Sequence, residues 1–595
     1  MLKRLIASAA LCLAVTTASA ALASPGDLEA RRKALDSLLA EHWEENLKLN
    51  PEFASILGDK RYNDRLSENT PASISATYAK AAEWKKRFEA IDTTGFPEQE
   101  ALNKTLMLRD LDEYLENRKF KNWEMPVTQF YGIHIQAPSF VQYLSFESVK
   151  DYEDYIARLG QFPRVFDETI ALMRQGMADR LMPPKLLLEK VAVQADGIAK
   201  QKAEETPFAH PFEKFPDAVP AADQKRLREK GLAAVRDKVL PAYVKFTKFV
   251  RDEYAPKGRS EPGVWALPDG DARYAALVKS STTTDMTPEQ IHQLGLSEVA
   301  RIEGEMQKIA VRLGFKDWKA LNVAIEANPE LHAKSPQQIV DLYSKYIAQM
   351  NEKLPQLFGL LPKSQCIVKP IEPFREKDAS GAEYNQGTPD GSRPGTVMVN
   401  TYEFAKRKTI NIETTAYHEG VPGHHMQISI AQELPTLPPF RAQGGNTAYV
   451  EGWALYSEDL GGEVGFFQDP YSLYGHYMDE MLRAIRLVVD TGFHYKHWTR
   501  EQVVQFFHDH SGIDEVEVQS ETDRYIAVPS QALGYKIGQL KIRELRDRAK
   551  KELGDLFDLR AFHDQVLGAG ALPLDVLSDR IDAWIAKVKK DSQLR

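Results

Sequence analysis

Three histidines and a glutamate fall within eight residues of this chain, in the stretch Tyr417-His418-Glu419-Gly420-Val421-Pro422-Gly423-His424-His425. A second acidic cluster follows, Glu451-Gly452-Trp453-Ala454-Leu455-Tyr456-Ser457-Glu458. Imidazoles and a carboxylate are the ligand types that Zn2+ prefers, and Glu419 beside the first histidine is placed to act as general base. The chemistry expected is metal-assisted hydrolysis, most naturally of a peptide bond. The rival account has the histidines capping or packing a helix–turn–helix.

A regular helix would not build this site. In the common H-E-x-x-H signature both histidines share one helix face. His418 and His424 are six apart, so an unbroken helix would set them on roughly opposite faces. His418 and His425 share a face but lie about 10 Å apart along the axis, too far for one metal with bonds near 2.1 Å. Pro422 lacks the N–H that would continue the helix, and its ring clashes with the carbonyl of His418. Gly423 tolerates backbone angles closed to other residues. A bulge or short loop over Gly420–Gly423 would fold His424 back toward His418.

The segments HEGVPGHHMQ and EGWALYSE resemble the signatures of the bacterial family known as domain of unknown function 885, regarded as predicted zinc peptidases. The resemblance extends to YAALVKSSTTTDMTPEQIHQLGLSEVARIE and RLVVDTGFHYKHWT. More distantly the arrangement is similar to helical peptidases of the angiotensin-converting-enzyme and thimet-oligopeptidase type. It implies His418 as first ligand, Glu419 as the base that activates water, His424 as second ligand with His425 as fallback, and Glu451 as third ligand. Glu458 competes for that third place, although a solvated carboxylate, or one supporting a ligand from behind, fits it better. The chain departs from H-E-x-x-H by two inserted positions, which leaves the choice between His424 and His425 open.

Hydrolysis also needs a donor to the developing oxyanion. Arg524-Tyr525 is similar to the Arg-Tyr pair of the angiotensin-converting-enzyme type, which gives Tyr525 that role and makes Tyr535 the alternative. His494 is a candidate supporting or substrate-binding group and could pair with Asp490 on a helix, although Gly492 weakens that helix. His508 and His510 flank Asp509 and read as exposed or satisfied histidines. Arg483 and Arg486 would meet a substrate carboxylate or lie on a helix surface.

The elements that must position these groups are mostly helices. Leu28–Leu49, Thr287–Leu313, Val340–Leu354, Ser472–Asp490 and Leu533–Leu553 carry apolar residues at threes and fours. Thr287-Pro288-Glu289-Gln290 is a helix start. Thr396-Val397-Met398-Val399-Asn400 is the clearest strand, bounded upstream by the Gly/Pro-rich stretch Gly381–Gly395. The resemblance makes it an edge strand that pairs with extended substrate. The expected fold is mainly α, a two-lobed, zinc-peptidase-like architecture with a central cleft and a small β element near the metal. Breaks at Thr206–Ala222 and Pro256–Gly270 would set an N-terminal helical lobe, to about residue 260, apart from the lobe carrying the motifs. Residues 24–595 then form a single peptidase-like unit, since no long flexible linker occurs.

Residues 1–23 read as a signal peptide, with Lys3 and Arg4 before the apolar run Leu5–Val15 and a cut after Ala20 or Ala23. The run is too short to span a membrane, and Cys12 sits too early for a lipid attachment site. The expected location is periplasmic or secreted, without stable membrane insertion. Cleavage takes the formal charge from −9 to −11 and leaves Cys366 as the one cysteine, so no intrachain disulfide forms. Among 595 residues, 43% hydrophobic and 27% charged, no Lys/Arg-rich run stands out, which excludes nucleic acid as a partner. The functional expectation is an exported zinc metallopeptidase acting on a peptide or small amide. The alternatives are a metal-dependent hydrolase of a non-peptide amide or ester, and a silent metal-binding protein. Glu419 argues against the last, because a structural site needs no adjacent base.

Overall fold

Amphipathic periodicity becomes helix along most of the chain. The computed structural model describes residues 25–372, 376, 379–388 and 393–594. The proposed signal segment, with both cut sites and Cys12, lies outside the described residues. Helices α1 (Pro25–Leu49), α2 (Pro71–Glu89) and α3 (Glu98–Asn117) open the fold. Helix α4 (Gly270–Thr282) leads into α5 (Pro288–Arg312), whose start is the expected one. There the Gln290 side chain accepts from the Thr287 N–H at 2.8 Å while the Thr287 hydroxyl accepts from the Gln290 N–H, which satisfies two donors a helix start leaves open. Helix α6 (Pro336–Asn351) follows.

Three short strands come next, β1 (Cys366–Pro370), β2 (Ala382–Asn385) and β3 (Gly395–Val399), in the order β1-β3-β2. β3 pairs parallel with β1, Val368 opposite Val397, and antiparallel with β2, Tyr384 opposite Val397. This corrects the reading of Thr396–Val399 as an open edge. β3 is the central strand and is buried at every position, so both of its hydrogen-bonding edges are taken by neighbouring strands. Its Thr-Val-Met-Val run is continuous rather than alternating because both faces are covered.

The motif-bearing helices are α7 (Ile412–Glu419), α8 (His424–Glu433), α9 (Thr447–Glu463) and α10 (Pro470–His494), followed by α11 (Glu515–Ala527) and α12 (Leu533–Leu553). α5 lies along α10, burying Val299, Ile302 and Met306 with Ile485, Val488 and Val489. α9 crosses α12 at glycine against glycine. A Cβ on Gly452 would stand 2.4 Å from the Gly538 Cα, and one on Gly538 would stand 1.8 Å from the Ala448 carbonyl oxygen. Only hydrogen fits at either position, which lets α9 pack backbone to backbone on α12. Residues between Leu66 and Ala255 build one hydrophobic core of their own, while the cores around the motifs draw mainly on later residues, joined by Leu106 and Leu187. Among the described residues no helix is long and apolar enough to cross a membrane.

Candidate metal centre

The break in the first motif falls where Pro422 and Gly423 put it. α7 stops at Glu419 and α8 begins at His424. Between them the Gly420 N–H donates to the Ala416 carbonyl at 3.0 Å, the Gly423 N–H to Tyr417 at 2.9 Å and the His425 N–H to Gly420 at 3.1 Å; the Val421–Pro422 peptide is cis. A Cβ on Gly423 would lie 1.9 Å from the His418 carbonyl oxygen, so the reversal closes only over glycine. The second motif clamps it, for the fully buried Trp453 donates its indole N–H to the Pro422 carbonyl at 2.9 Å. The His418 and His424 rings end 4.8 Å apart between centroids and perpendicular, at 87°.

α9 supplies the carboxylate. Asn446 caps its start, accepting from the Tyr449 N–H, and Glu451 stands in the next turn. One Glu451 oxygen, Oε2, lies 3.4 Å from His424 Nε2 and 3.8 Å from His418 Nε2. The three ligand atoms lie within 4.8 Å of one another. Two ligands about 2.1 Å from a tetrahedral metal are about 3.4 Å apart, so the set matches in type and closely in spacing. Three protein ligands would leave a fourth position open, as catalytic zinc sites do.

Behind His418 stands a built support. Its Nδ1 hydrogen-bonds Glu458 at 2.8 Å, which leaves Nε2 toward Glu451 and His424. Thr414 donates to the second Glu458 oxygen at 2.6 Å and contacts His476 Nδ1 at 3.0 Å. Glu458 is wholly buried, so it is no solvated carboxylate, and its two oxygens face His418 Nδ1 and Thr414 instead of the three converging atoms. Burial opposes charge on His418, but Glu451 and Glu458 outweigh it and push its pKa up to about 10. Burial likewise works against the Glu451 and Glu458 carboxylates, yet the facing histidines hold both well below the usual range. His424 has no such support, its Nδ1 being buried with no partner among the described residues.

His425 points elsewhere. Its Nδ1 meets the Tyr384 hydroxyl of β2 at 3.0 Å and its Nε2 the Ser364 carbonyl at 3.1 Å, so it ties α8 to the sheet. Glu419, half-buried at the end of α7, hydrogen-bonds no described residue and lies within electrostatic reach of His418 and Tyr343. Burial raises the Tyr343 phenol, and the Glu419 charge adds to it.

Tyr525 is fully buried on α11. Its hydroxyl donates to Glu521 and accepts from Arg486 Nε at 3.0 Å. Arg486 also lies over the Tyr535 ring at 4.6 Å, so neither it nor Arg483, which pairs with Asp479, is a free helix-surface cation. A string of charges links this tyrosine to the cluster. Burial raises the Asp479 carboxyl, which feels Glu458 and His418; Asp479 in turn adds to the burial and the Glu521 charge that push Glu517 up to about 7.

His494 and Asp490 do not pair. α10 runs unbroken through Gly492, His494 bridges the Val264 N–H and the Tyr525 carbonyl, and Asp490 accepts from the Tyr274 hydroxyl at 2.6 Å. His508 and His510 pair with Glu515 and Glu303. Sequence reasoning missed Thr414, His476, Asp479 and Tyr343, which gather only once α6, α7 and α10 pack together and leave no local pattern.

The model of a family described as "Bacterial protein of unknown function (DUF885)" matches residues 51–581. No curated protein matches the chain. One similar solved structure is titled as the "putative lipoprotein" from Colwellia psychrerythraea. It is 31% identical, covers 94% of this chain and 99% of its own, and superposes with a TM-score of 0.89. Another, titled a "putative lipoprotein of unknown function" from Shewanella oneidensis, is 18% identical over 92% of this chain and 99% of its own. Its TM-score of 0.71 shows a shared fold.

Proposed function

The chain belongs to the DUF885 family of bacterial proteins, and from that premise we propose that it is an exported zinc metallopeptidase acting on small peptides. The observation that carries this reading is the convergence of His418, His424 and Glu451 with Glu419 adjacent and hydrogen-bonded to no described residue. Zinc held there supplies Lewis acidity toward a peptide carbonyl and toward water. The chain's own residues do the rest. Glu419 takes a proton from the attacking water at its carboxylate and returns it to the leaving amine nitrogen. Glu458 keeps His418 in the tautomer that presents Nε2. Tyr525 turns its hydroxyl from Glu521 to the developing oxyanion, with Arg486 holding the phenol in place.

The finer architecture belongs to the same proposal, with helices before about residue 260 forming one lobe and the motif-bearing helices the other, facing across the cluster. Export agrees with the leader read from residues 1–23 and with the "putative lipoprotein" titles of the two similar structures. A peptide-library digestion read by mass spectrometry tests the activity. Cleavage that stops on chelation and returns with zinc is the expected result. Turnover of ester or non-peptide amide substrates alone, with every peptide left intact, would overturn it.

A further inference from the structure

A cavity of about 660 Å³ opens at the start of α9, lined on one side by α2 and α3 and on the other by the Asn446–Thr447 turn. Asp110, Glu113, Tyr114 and Asn117 of α3 line it together, three, four and seven residues from the first, so one whole helix face fronts the cavity instead of a core. Tyr114 stacks on Tyr78 at 4.4 Å and 16°, and Tyr78 meets Trp123 at 5.4 Å, which makes an aromatic wall. Tyr114 stays 39% exposed, leaving part of that wall open. Among the described lining residues two are carboxylates and none is lysine, arginine or histidine. Ser280 donates to Glu113, whereas Asp110 has no hydrogen bond or ion pair with any described residue. The aromatic wall already takes a cation, for the Arg118 guanidinium lies 5.2 Å from the Tyr78 centroid.

The cavity wall also lies one helical turn from Glu451 of the proposed metal centre. Thr447 in its wall and Glu451 are four residues apart on α9 and share a face. Helix side chains lean toward the N-terminus, so the Glu451 carboxylate is carried toward the cavity end of the helix.

We propose that this cavity is a substrate subsite for an alkylammonium or guanidinium group, held by Asp110 and Glu113 and stacked on Tyr114. Resting on the peptidase reading, the group is either the free amino terminus of a peptide or a lysine or arginine side chain. Asp110 stands exposed at the cavity wall, where partial desolvation and the nearby Glu113 raise its carboxyl to about 6 against the opposing pull of Arg109.

Calorimetry tests the site without any need for turnover. n-Butylammonium and n-butylguanidinium should bind the intact protein at least about tenfold tighter than n-butanol, the neutral isostere of the first; that is the usual worth of a charge-assisted hydrogen bond. Asp110→Asn should weaken both cations by about tenfold and leave butanol unchanged. Glu113→Gln, a second variant in the same wall, should weaken them in the same direction. Equal binding of cation and alcohol, or full cation affinity in folded Asp110→Asn and Glu113→Gln, overturns the proposal. Peptide pairs then identify the source. A KM raised by N-acetylation alone assigns the amino terminus, and one raised by lysine-to-norleucine replacement alone assigns the side chain. If peptides are cleaved and neither change moves KM, the cavity is no substrate subsite and the proposal fails. If no peptide is cleaved, the peptidase reading falls while the calorimetry still decides whether the cavity binds cations.

Discussion

Replacing Glu458 by glutamine removes one charge behind the proposed metal ligand His418 and almost nothing else. The side chain is wholly buried and keeps its volume. Its amide oxygen can accept the His418 Nδ1–H now 2.8 Å away, while its NH₂ faces Thr414, whose hydroxyl can accept and turn its own proton toward His476. What is lost is the charge on the acceptor, and a charge-assisted hydrogen bond is about twice as strong as a neutral one. Partners that orient metal-bound histidines are worth about 10–100-fold in metal affinity. Glu458→Gln, which keeps the hydrogen bond, should fall near the lower limit, about tenfold or 1.4 kcal/mol. Glu458→Ala leaves His418, Thr414 and His476 without their shared acceptor and should cost the folded protein about 3–5 kcal/mol as well. Competition for zinc against a chromophoric chelator measures the first effect, and urea unfolding of the metal-free proteins measures the second. An unchanged zinc affinity in a folded Glu458→Gln protein would refute the support role.

Three further outcomes are expected. Glu419→Gln should keep zinc and fold but lose about 10²–10⁴-fold in turnover; near-normal turnover of the zinc-loaded variant would mean another group activates the water. Tyr525→Phe should lower kcat and kcat/KM together by about 10²–10³-fold and cost about 3 kcal/mol of stability for its two buried hydrogen bonds to charged partners; an unaltered kcat would move the role to Tyr535. Burial lifts the Asp490 pKa to about 7, so the native state holds a proton there that the unfolded chain has released. That stabilisation is present at low pH and lost as pH rises through about 7, so Asp490→Asn should remove part of the decline in unfolding free energy across that range; parallel pH–stability curves for the two proteins would contradict the assignment.

Much of the fold was legible because it is local. The five helices read from spacing appear within a few residues of their expected ends, and the Thr287 start was set by a four-residue pattern. The reversal at Gly420–Gly423 was legible for the same reason, since proline and glycine act on their own backbone. What spacing left open was which histidine the reversal delivers; the structure brings His424 beside His418 and Glu451 and sends His425 to the sheet. Strand order was beyond reach, because a buried run such as Thr396–Val399 looks alike at an edge and in a centre until its partners are known. Asp490 and His494 illustrate the converse: correct helical spacing did not make a pair, because Tyr274, Ser530 and the Tyr525 carbonyl from other elements took their hydrogen bonds. Glu458 was visible as a carboxylate near the motif, but its bond to His418 depends on how closely α9 approaches α7, where Gly461 leaves room for the Tyr417 ring.

The central claim is that His418, His424 and Glu451 hold one metal ion. Metal analysis of the purified chain after chelation and zinc reconstitution tests it most directly, on the unaltered protein and on His418→Ala, His424→Ala, Glu451→Ala and His425→Ala. One tightly held zinc per chain, lost in the first three variants and kept in His425→Ala, is the predicted result. Stoichiometric zinc retained in both His418→Ala and Glu451→Ala would contradict it.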